Sequence, residues 1–140
     1  MDPVYRLELT VPAEAVDENR HVNNIAYVRW MQKAAIAHSE ASGCTRLTQT
    51  AGATWVVRLH HIEYLSPAFG GDALSVLTWI VDFRKVRSLR RYKFIRPRDR
   101  IVLARGETDW VFVDAQTGRP RAIPEEIKNA FGIAATEPEL

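Results

Sequence analysis

The chain has 140 residues, of which 46% are hydrophobic and 26% are charged. This length fits a single domain with one buried core, and the composition is typical of a globular protein rather than a disordered one. A net charge of +2 excludes a polycation built to coat nucleic acid. No apolar run approaches the roughly 18 residues of a membrane span. We therefore expect one domain over residues 1–140, with no membrane segment.

The cysteine usage and the first residues predict a cytoplasmic protein. Cys44 is the single cysteine, so no disulfide can form within the chain, as is usual in reducing compartments. Met1 to Thr10 lacks the basic and then apolar layout of a signal peptide. Cys44 follows Gly43 at a predicted helix end, where we expect a structural role rather than a nucleophilic one.

The first half of the chain predicts one strand and one long helix. Polar and apolar residues alternate from Val4 to Val11, as in a strand, and Ala13 to Val22 is polar and irregular. A helix follows, because apolar residues recur at helical spacing and Asn23 or Asn24 can cap its start. Gly43 ends it. Its apolar body predicts a central helix that is covered on several sides.

The second half predicts four strands and a short helix. The polar residues at the end of the chain should be frayed. One strand, one helix and four successive strands exclude the regular alternation of a parallel sheet. The sequence thus predicts an α+β fold, an antiparallel sheet curled around one long helix. The predicted segments are strands at Thr54 to Leu65, Ala73 to Lys85, Ser88 to Ile95 and Ile101 to Val113, a turn at Ala115 to Gly118, and a helix at Pro124 to Phe131.

The loop before the long helix carries the candidate chemistry. Asp17, Asn19 and His21 lie directly before Asn24, at the predicted helix start. The free N–H groups of a helix start polarise a carbonyl and stabilise an oxyanion. The carboxylate of Asp17 can attack that carbonyl or activate a water, and His21 can orient the site or move a proton. The same residues also suit a plain turn and cap, so the residues alone leave both roles open.

This loop resembles a family signature. The stretch from Asp17 to Tyr27 resembles Asp-x-x-Gly-His-Val-Asn-Asn-x-x-Tyr, the pattern of the 4-hydroxybenzoyl-CoA thioesterase family of the hotdog fold. Its spelling is closer to that of plant-type acyl-ACP thioesterases, in which a bulky polar residue such as Arg20 replaces the glycine. Gln32 replaces a glutamate of the family, so we assign it no role. Further segments resemble the family in the same order: Ile62 to Asp72, Ser88 to Tyr92 and Thr117 to Pro124.

The resemblance implies a single hotdog domain that hydrolyses a thioester. Asp17 matches the catalytic carboxylate, a nucleophile or general base. Asn24 matches the helix-start position whose backbone N–H faces the thioester oxygen. Asn19, His21 and Glu63 match polar residues proposed to act in the plant-type enzymes. Structural alternatives remain for each, such as a strand ion pair for Glu63 and a loop hydrogen bond for His21.

The resemblance also implies an acyl-CoA or acyl carrier protein substrate. The acyl tail is expected near Tyr27 and Trp30, although both also suit a plain core. The basic segment from Arg84 to Arg100, which includes Arg90 and Arg91, is a candidate for binding carrier phosphates or an acidic carrier protein. A solvated sheet face is the alternative.

Sheet edges left unpaired in one chain favour a homodimer or a tetramer of two dimers. The resemblance implies active sites at the dimer interface, with Asp17 and Glu63 from different chains. We predict no nucleic-acid partner, no cofactor and no metal, because no histidine has further ligands at suitable spacing. Three alternatives stay open: a hotdog hydroxyacyl dehydratase, a non-catalytic acyl-carrier-binding protein and, more distantly, a nucleic-acid binder.

Overall fold

The computed structural model describes residues 2–139. A single turn of 3-10 helix at Ala13–Ala15 precedes the long helix. The strands and α-helices, in chain order, are β1 (Tyr5–Thr10), α1 (Asn24–Ser42), α2 (Cys44–Thr50), β2 (Ala53–Tyr64), β3 (Ala73–Phe83), β4 (Arg87–Arg96), β5 (Ile101–Asp114) and α3 (Glu125–Phe131).

The five strands form one antiparallel sheet in the order β1-β3-β4-β5-β2, so β1 and β2 are its edges. Each predicted strand is present, with ends that differ by at most two residues from the predicted ones. Helix α1 packs on the inner face of the curved sheet, against apolar side chains such as Val76, Phe94 and Leu74. The predicted α+β architecture, a curved antiparallel sheet around one long helix, is confirmed.

Helix α1 begins and ends at the predicted residues. The side chain of Asn23 accepts a hydrogen bond from the Ala26 N–H at 2.9 Å, and Gly43 ends the helix in the left-handed region with a φ of 84°. Met31 is fully buried where α1 crosses β5. A Cβ atom on Gly106 would lie 3.0 Å from the Met31 sulfur, so the absent side chain allows this close approach.

Helix α2 is not predicted by the sequence pattern. It follows α1 directly after Gly43, and its three threonines give it a weak intrinsic helix propensity. Tertiary packing stabilises it, because Cys44 is fully buried with its sulfur 3.7 Å from the Ile127 carbonyl oxygen. Burial raises the pKa of the Cys44 thiol, which agrees with the structural role expected for this residue.

The expectation of a frayed C-terminal tail is wrong for residues 132–139. This segment lies on the outer face of the sheet, where the Ala134 N–H donates to the Ile80 carbonyl at 2.9 Å. The Glu137 carboxylate pairs with Lys93 at 3.1 Å and with Arg105 at 2.6 Å. The tail is held because its polar residues find cations on β4 and β5 that the sequence pattern does not place next to it.

One side of α1 is open in the single chain, while its other sides are covered as expected. Ile25 and Ile36 are 66% and 55% exposed. No α-helix among residues 2–139 is both long enough and apolar enough to cross a membrane.

Candidate active site

The loop before α1 folds into a tight hairpin turn. Val16 and Val22 pair as an isolated antiparallel bridge, and the Asp17 N–H donates to the His21 carbonyl at 2.8 Å. The Arg20 N–H donates to the Asp17 carbonyl at 3.0 Å, and Arg20 adopts a φ of 66°. This left-handed conformation favours glycine. It gives a physical reason for the glycine at this position in the resembling pattern.

The Asp17 carboxylate is both a loop acceptor and an exposed charge. Its Oδ1 atom accepts hydrogen bonds from the Asn19 N–H at 2.9 Å and the His21 N–H at 3.2 Å. The Oδ2 atom has no hydrogen-bond partner among residues 2–139. The turn therefore fixes the direction of the side chain through one oxygen and leaves the other oxygen free to act.

The start of α1 presents unused N–H groups close to this carboxylate in sequence. Asn23 satisfies the N–H of Ala26, and its own N–H donates to the Ala15 carbonyl at 2.8 Å. Within the described chain, the N–H groups of Asn24 and Ile25 have no acceptor, and both residues are exposed. Together with the partial positive charge of the helix start, they form a donor pair able to bind a carbonyl oxygen.

The loop between β2 and β3, residues 65–72, pairs with the hairpin and is called the supporting loop. His21 pairs with Phe69 as an isolated bridge, and the two rings meet edge to face with centroids 5.5 Å apart. The Val22 N–H donates to the Ala68 carbonyl at 3.0 Å. Residues 21 and 22 of the hairpin are thus positioned by backbone pairing with residues 68 and 69.

Two residues that the sequence analysis did not single out hold this supporting loop. Arg96, at the end of β4, is buried and donates to the Asp72 carboxylate at 3.0 Å and to the Pro67 carbonyl at 3.3 Å. The Asp72 carboxylate also accepts from the Phe69 N–H at 3.0 Å. Because Arg96 and Asp72 lie 24 positions apart, the sequence shows each residue but not the pair.

Glu63 does not join Asp17 within one chain. It lies opposite Arg105 in the β2–β5 register, on the outer face of the sheet, whereas the next residue, Tyr64, points inward onto Tyr27 with ring centroids 5.3 Å apart. Glu63 lines an outer cavity of about 240 Å³ together with Arg105 and Glu137. The side chain of Asn19 is exposed and only its backbone N–H binds Asp17.

The two aromatic residues expected near the acyl tail are core residues in the single chain. Tyr27 and Trp30 are buried and in edge-to-face contact at 5.5 Å, and Tyr27 also meets Phe94 at 5.1 Å. Burial, reinforced by Tyr64, raises the pKa of Tyr27 to about 12, so its hydroxyl is neutral at physiological pH. Both side chains belong to the buried core between the first turns of α1 and the sheet.

The basic segment does not form one cationic face. Strand alternation turns Arg90 inward, where it is buried, and turns Arg91 outward, where its guanidinium lies 3.7 Å from Glu107. Lys93 is also directed outward and pairs with Glu137. The charges that looked continuous in sequence are divided between two faces and are partly neutralised.

Among residues 2–139, no group of three or more metal-binding side chains is arranged around a common point. His60 and His61 alternate across the sheet, and the inward His60 contacts the Thr108 hydroxyl at 2.8 Å. The hairpin and the start of α1 offer a carboxylate with one unengaged oxygen, and two backbone N–H groups that have no acceptor within residues 2–139.

Solved structures with the same fold support this architecture. A 1,4-dihydroxy-2-naphthoyl-CoA thioesterase from Synechocystis superposes with a TM-score of 0.82 at 17% identity, covering 91% of this chain and 95% of that one. A 12:0-ACP thioesterase from Umbellularia californica gives 0.82 at 22% identity over 96% of this chain, which spans 53% of that protein. A Staphylococcus aureus protein solved in complex with CoA gives 0.81 at 20% identity, covering 91% and 80% of the two chains.

No curated protein sequence matches the chain significantly. A family model does match, under the description thioesterase-like superfamily, and the match covers residues 11–131. This range includes the hairpin, the start of α1 and all of the strands except β1. The resemblance found in the sequence is confirmed, and with it the expectation of a thioester hydrolase. The chain belongs to the thioesterase-like superfamily.

Proposed function

We propose that the protein hydrolyses an acyl thioester of coenzyme A or acyl carrier protein, with Asp17 as the nucleophile or general base. The observation that carries this proposal is the Asp17 carboxylate, held through one oxygen by two backbone N–H groups, in the turn that leads into the uncapped N–H groups of Asn24 and Ile25. His21, fixed against Phe69, orients the turn.

This arrangement is sufficient for a thioester. The free Oδ2 of Asp17 attacks the carbonyl carbon or removes a proton from a water that does so. The oxyanion that forms is stabilised by the N–H groups at the start of α1, an interaction usually worth about 3–4 kcal/mol for one good donor. A thiolate leaves without the strong acid that an alkoxide needs, so turnover does not require a side chain that protonates the leaving group.

The proposed acyl-CoA or acyl-ACP substrate is supported by the Asp17 site and by the solved structures with the same fold. One neighbour is named for an acyl-ACP substrate, one for an acyl-CoA substrate, and one was solved in complex with CoA. A carrier with a phosphopantetheine arm delivers the same thioester in both cases. We propose that residues 1–140 form a single thioesterase domain in the cytoplasm, and that the outward, partly exposed Arg91 attracts the carrier.

The complete site is proposed to form between two chains. The edge strand β2 is unpaired in one chain, and the exposed Ile25 and Ile36 lie on the uncovered side of α1. Pairing of two β2 edges in a homodimer, or in a tetramer of two such dimers, would bury this surface. The resemblance implies that Glu63 of one chain meets Asp17 of the other across this interface, although Glu63 lies on the outer face of β2 in the single chain.

The experiment is thiol release from a panel of acyl-CoA and acyl-ACP thioesters by three proteins, wild type, Asp17→Asn and Glu18→Gln. The amide of Asp17→Asn keeps an oxygen acceptor for the Asn19 and His21 N–H groups, so the turn survives while the reacting charge is lost. Glu18→Gln removes an adjacent, exposed carboxylate from the same turn and is the matched control.

We expect hydrolysis by wild type and Glu18→Gln, and a fall of about 10²–10⁴-fold in kcat for Asp17→Asn. Equal turnover by Asp17→Asn would overturn the role of Asp17. Binding of acyl carriers without thiol release by any of the three proteins would favour the non-catalytic alternative, and an enoyl product would favour the dehydratase.

A further inference from the structure

A second cavity lies at the other end of α1. It is open to solvent on one side, has a volume of about 310 Å³ and is lined by the second half of α1, by α2, by the inner face of the sheet and by Phe131 of α3. This volume falls within the range of about 300–1,000 Å³ that is typical of small-molecule sites. Its walls are mostly apolar, with hydroxyl groups on the helix side; they include Ile36, Ser39, Thr45, Trp55, Ile80 and Phe131.

Among residues 2–139, Arg90 is the one charged residue that lines this cavity, and only 3% of it is exposed. Its Nη1 group lies 2.9 Å from Nδ1 of His38 and donates to the Thr78 hydroxyl at 3.0 Å. The guanidinium also lies 5.3 Å from the centre of the Phe131 ring. None of these groups is negatively charged. A guanidinium only donates hydrogen bonds, so Nδ1 of His38 is the acceptor here and carries no proton.

Arg90 is a buried cation without a counterion. No carboxylate of residues 2–139 lies within 4.0 Å of it, whereas Arg96, which is also buried, has two. An uncompensated buried charge costs several kcal/mol, and a guanidinium cannot lose its proton to avoid this cost. Hydrogen bonds within the described chain engage only Nη1. The Nε and Nη2 groups of Arg90 are left for a ligand.

We infer that this cavity binds a small carboxylate with an apolar body, its two oxygens on the Nε and Nη2 groups of Arg90. The parallel N–H pair of a guanidinium matches a carboxylate in a bidentate geometry. The single cation matches a single negative charge, and the apolar walls match a hydrocarbon chain or ring. A phosphate ester would bring more negative charge than Arg90 alone neutralises.

The cavity is separate from the candidate active site. From Asn24 to His38 the helix rises by about 21 Å, at 1.5 Å per residue. A small acid on Arg90 therefore does not reach Asp17. The carboxylate has two sources, a free acid that binds independently of catalysis, or the far end of a long acyl thioester whose carbonyl lies at the start of α1.

The first experiment measures binding of sodium octanoate and of octanamide by calorimetry to wild type, Arg90→Met and Arg87→Met. Octanamide has the same apolar body without the charge. Arg87 lies on the same strand with its side chain on the outer face, so Arg87→Met is a matched control. We expect wild type and Arg87→Met to bind octanoate at least tenfold more tightly than octanamide, and Arg90→Met to lose this preference.

Methionine replaces the buried charge by an apolar side chain of similar length, which folded proteins often tolerate. A second variant, Ser39→Leu, fills the cavity, leaves Arg90 in place and should lose octanoate binding. Equal affinity of wild type for octanoate and octanamide, or octanoate binding that Arg90→Met and Ser39→Leu both retain, would overturn the proposal. None of these titrations requires hydrolysis, so failure of the proposed thioesterase activity leaves them valid.

The source of the carboxylate is distinguished by a further comparison. Wild type and Arg90→Met are assayed with two acyl-CoA substrates of equal length, one ending in a carboxylate and the other in a methyl group. A preference for the carboxylate substrate that Arg90→Met loses assigns the site to the acyl tail. Octanoate binding without such a preference assigns it to a separate free acid.

Discussion

His38 couples the stability of the fold to pH. It is fully buried between Tyr5, Phe131 and the Arg90 guanidinium. Burial, then the positive charge of Arg90, lower the pKa of His38 to about 3, and the more distant Asp2 carboxylate opposes this only weakly. In the unfolded chain the pKa returns to about 6.5. The unfolded state therefore takes up the proton first as the pH falls.

The contribution of His38 to stability is fully present above pH 6.5 and is lost progressively as the pH falls towards 3. One pKa unit corresponds to about 1.4 kcal/mol, so lowering the pH from 7 to 5 should cost roughly 2 kcal/mol through this residue alone. The perturbation is His38→Asn, in which the amide oxygen replaces Nδ1 as the acceptor for Arg90 and does not titrate.

The assay is urea unfolding of wild type and His38→Asn at pH 7 and pH 5, at one protein concentration. We expect the free energy of unfolding of wild type to fall by about 2 kcal/mol more than that of the variant. The pKa of His60 is also lowered by burial, but both proteins retain that residue. The reasoning would be refuted if wild type and variant lost the same stability over this interval.

Two substitutions test how the site and core are held together. Arg96→Met removes the buried partner of the largely shielded Asp72 carboxylate and should cost about 3–5 kcal/mol in urea unfolding; a loss below about 1 kcal/mol would show that the pair does not hold the supporting loop. Gly106→Val places methyl groups against the fully buried Met31 and should cost about 1–3 kcal/mol; an unchanged unfolding midpoint would contradict the close approach of α1 to β5.

Local patterns were sufficient to predict most of the fold. The caps of α1 at Asn23 and Gly43 follow from single-residue chemistry, and each strand follows from its alternating or apolar run. Helix α2 was missed because its stability depends on burying Cys44 against α3, a contact between residues 83 positions apart. The ordered tail was missed for the same reason, since Glu137 is held by Lys93 on β4 and Arg105 on β5, which are far from it in sequence.

The candidate site was likewise predictable only where its residues are close together in sequence. The contiguous motif placed Asp17, His21 and Asn24 together because they share one turn and one helix start. Glu63 is separated from them by the alternation of β2, and its proposed meeting with Asp17 depends on a second chain. The uncompensated charge of Arg90 was hidden in a basic segment, because sequence shows how many cations are present but not which of them lack a carboxylate.

The central claim is that the thioester carbonyl lies on the N–H groups at the start of α1. The most direct measurement is the backbone amide spectrum of ¹⁵N-labelled Asp17→Asn protein titrated with an intact acyl thioester that wild type hydrolyses. We expect the Asn24 and Ile25 amide signals to move to lower field as the thioester binds, because both N–H groups gain an acceptor. Saturable binding that leaves these two signals in place would contradict this claim.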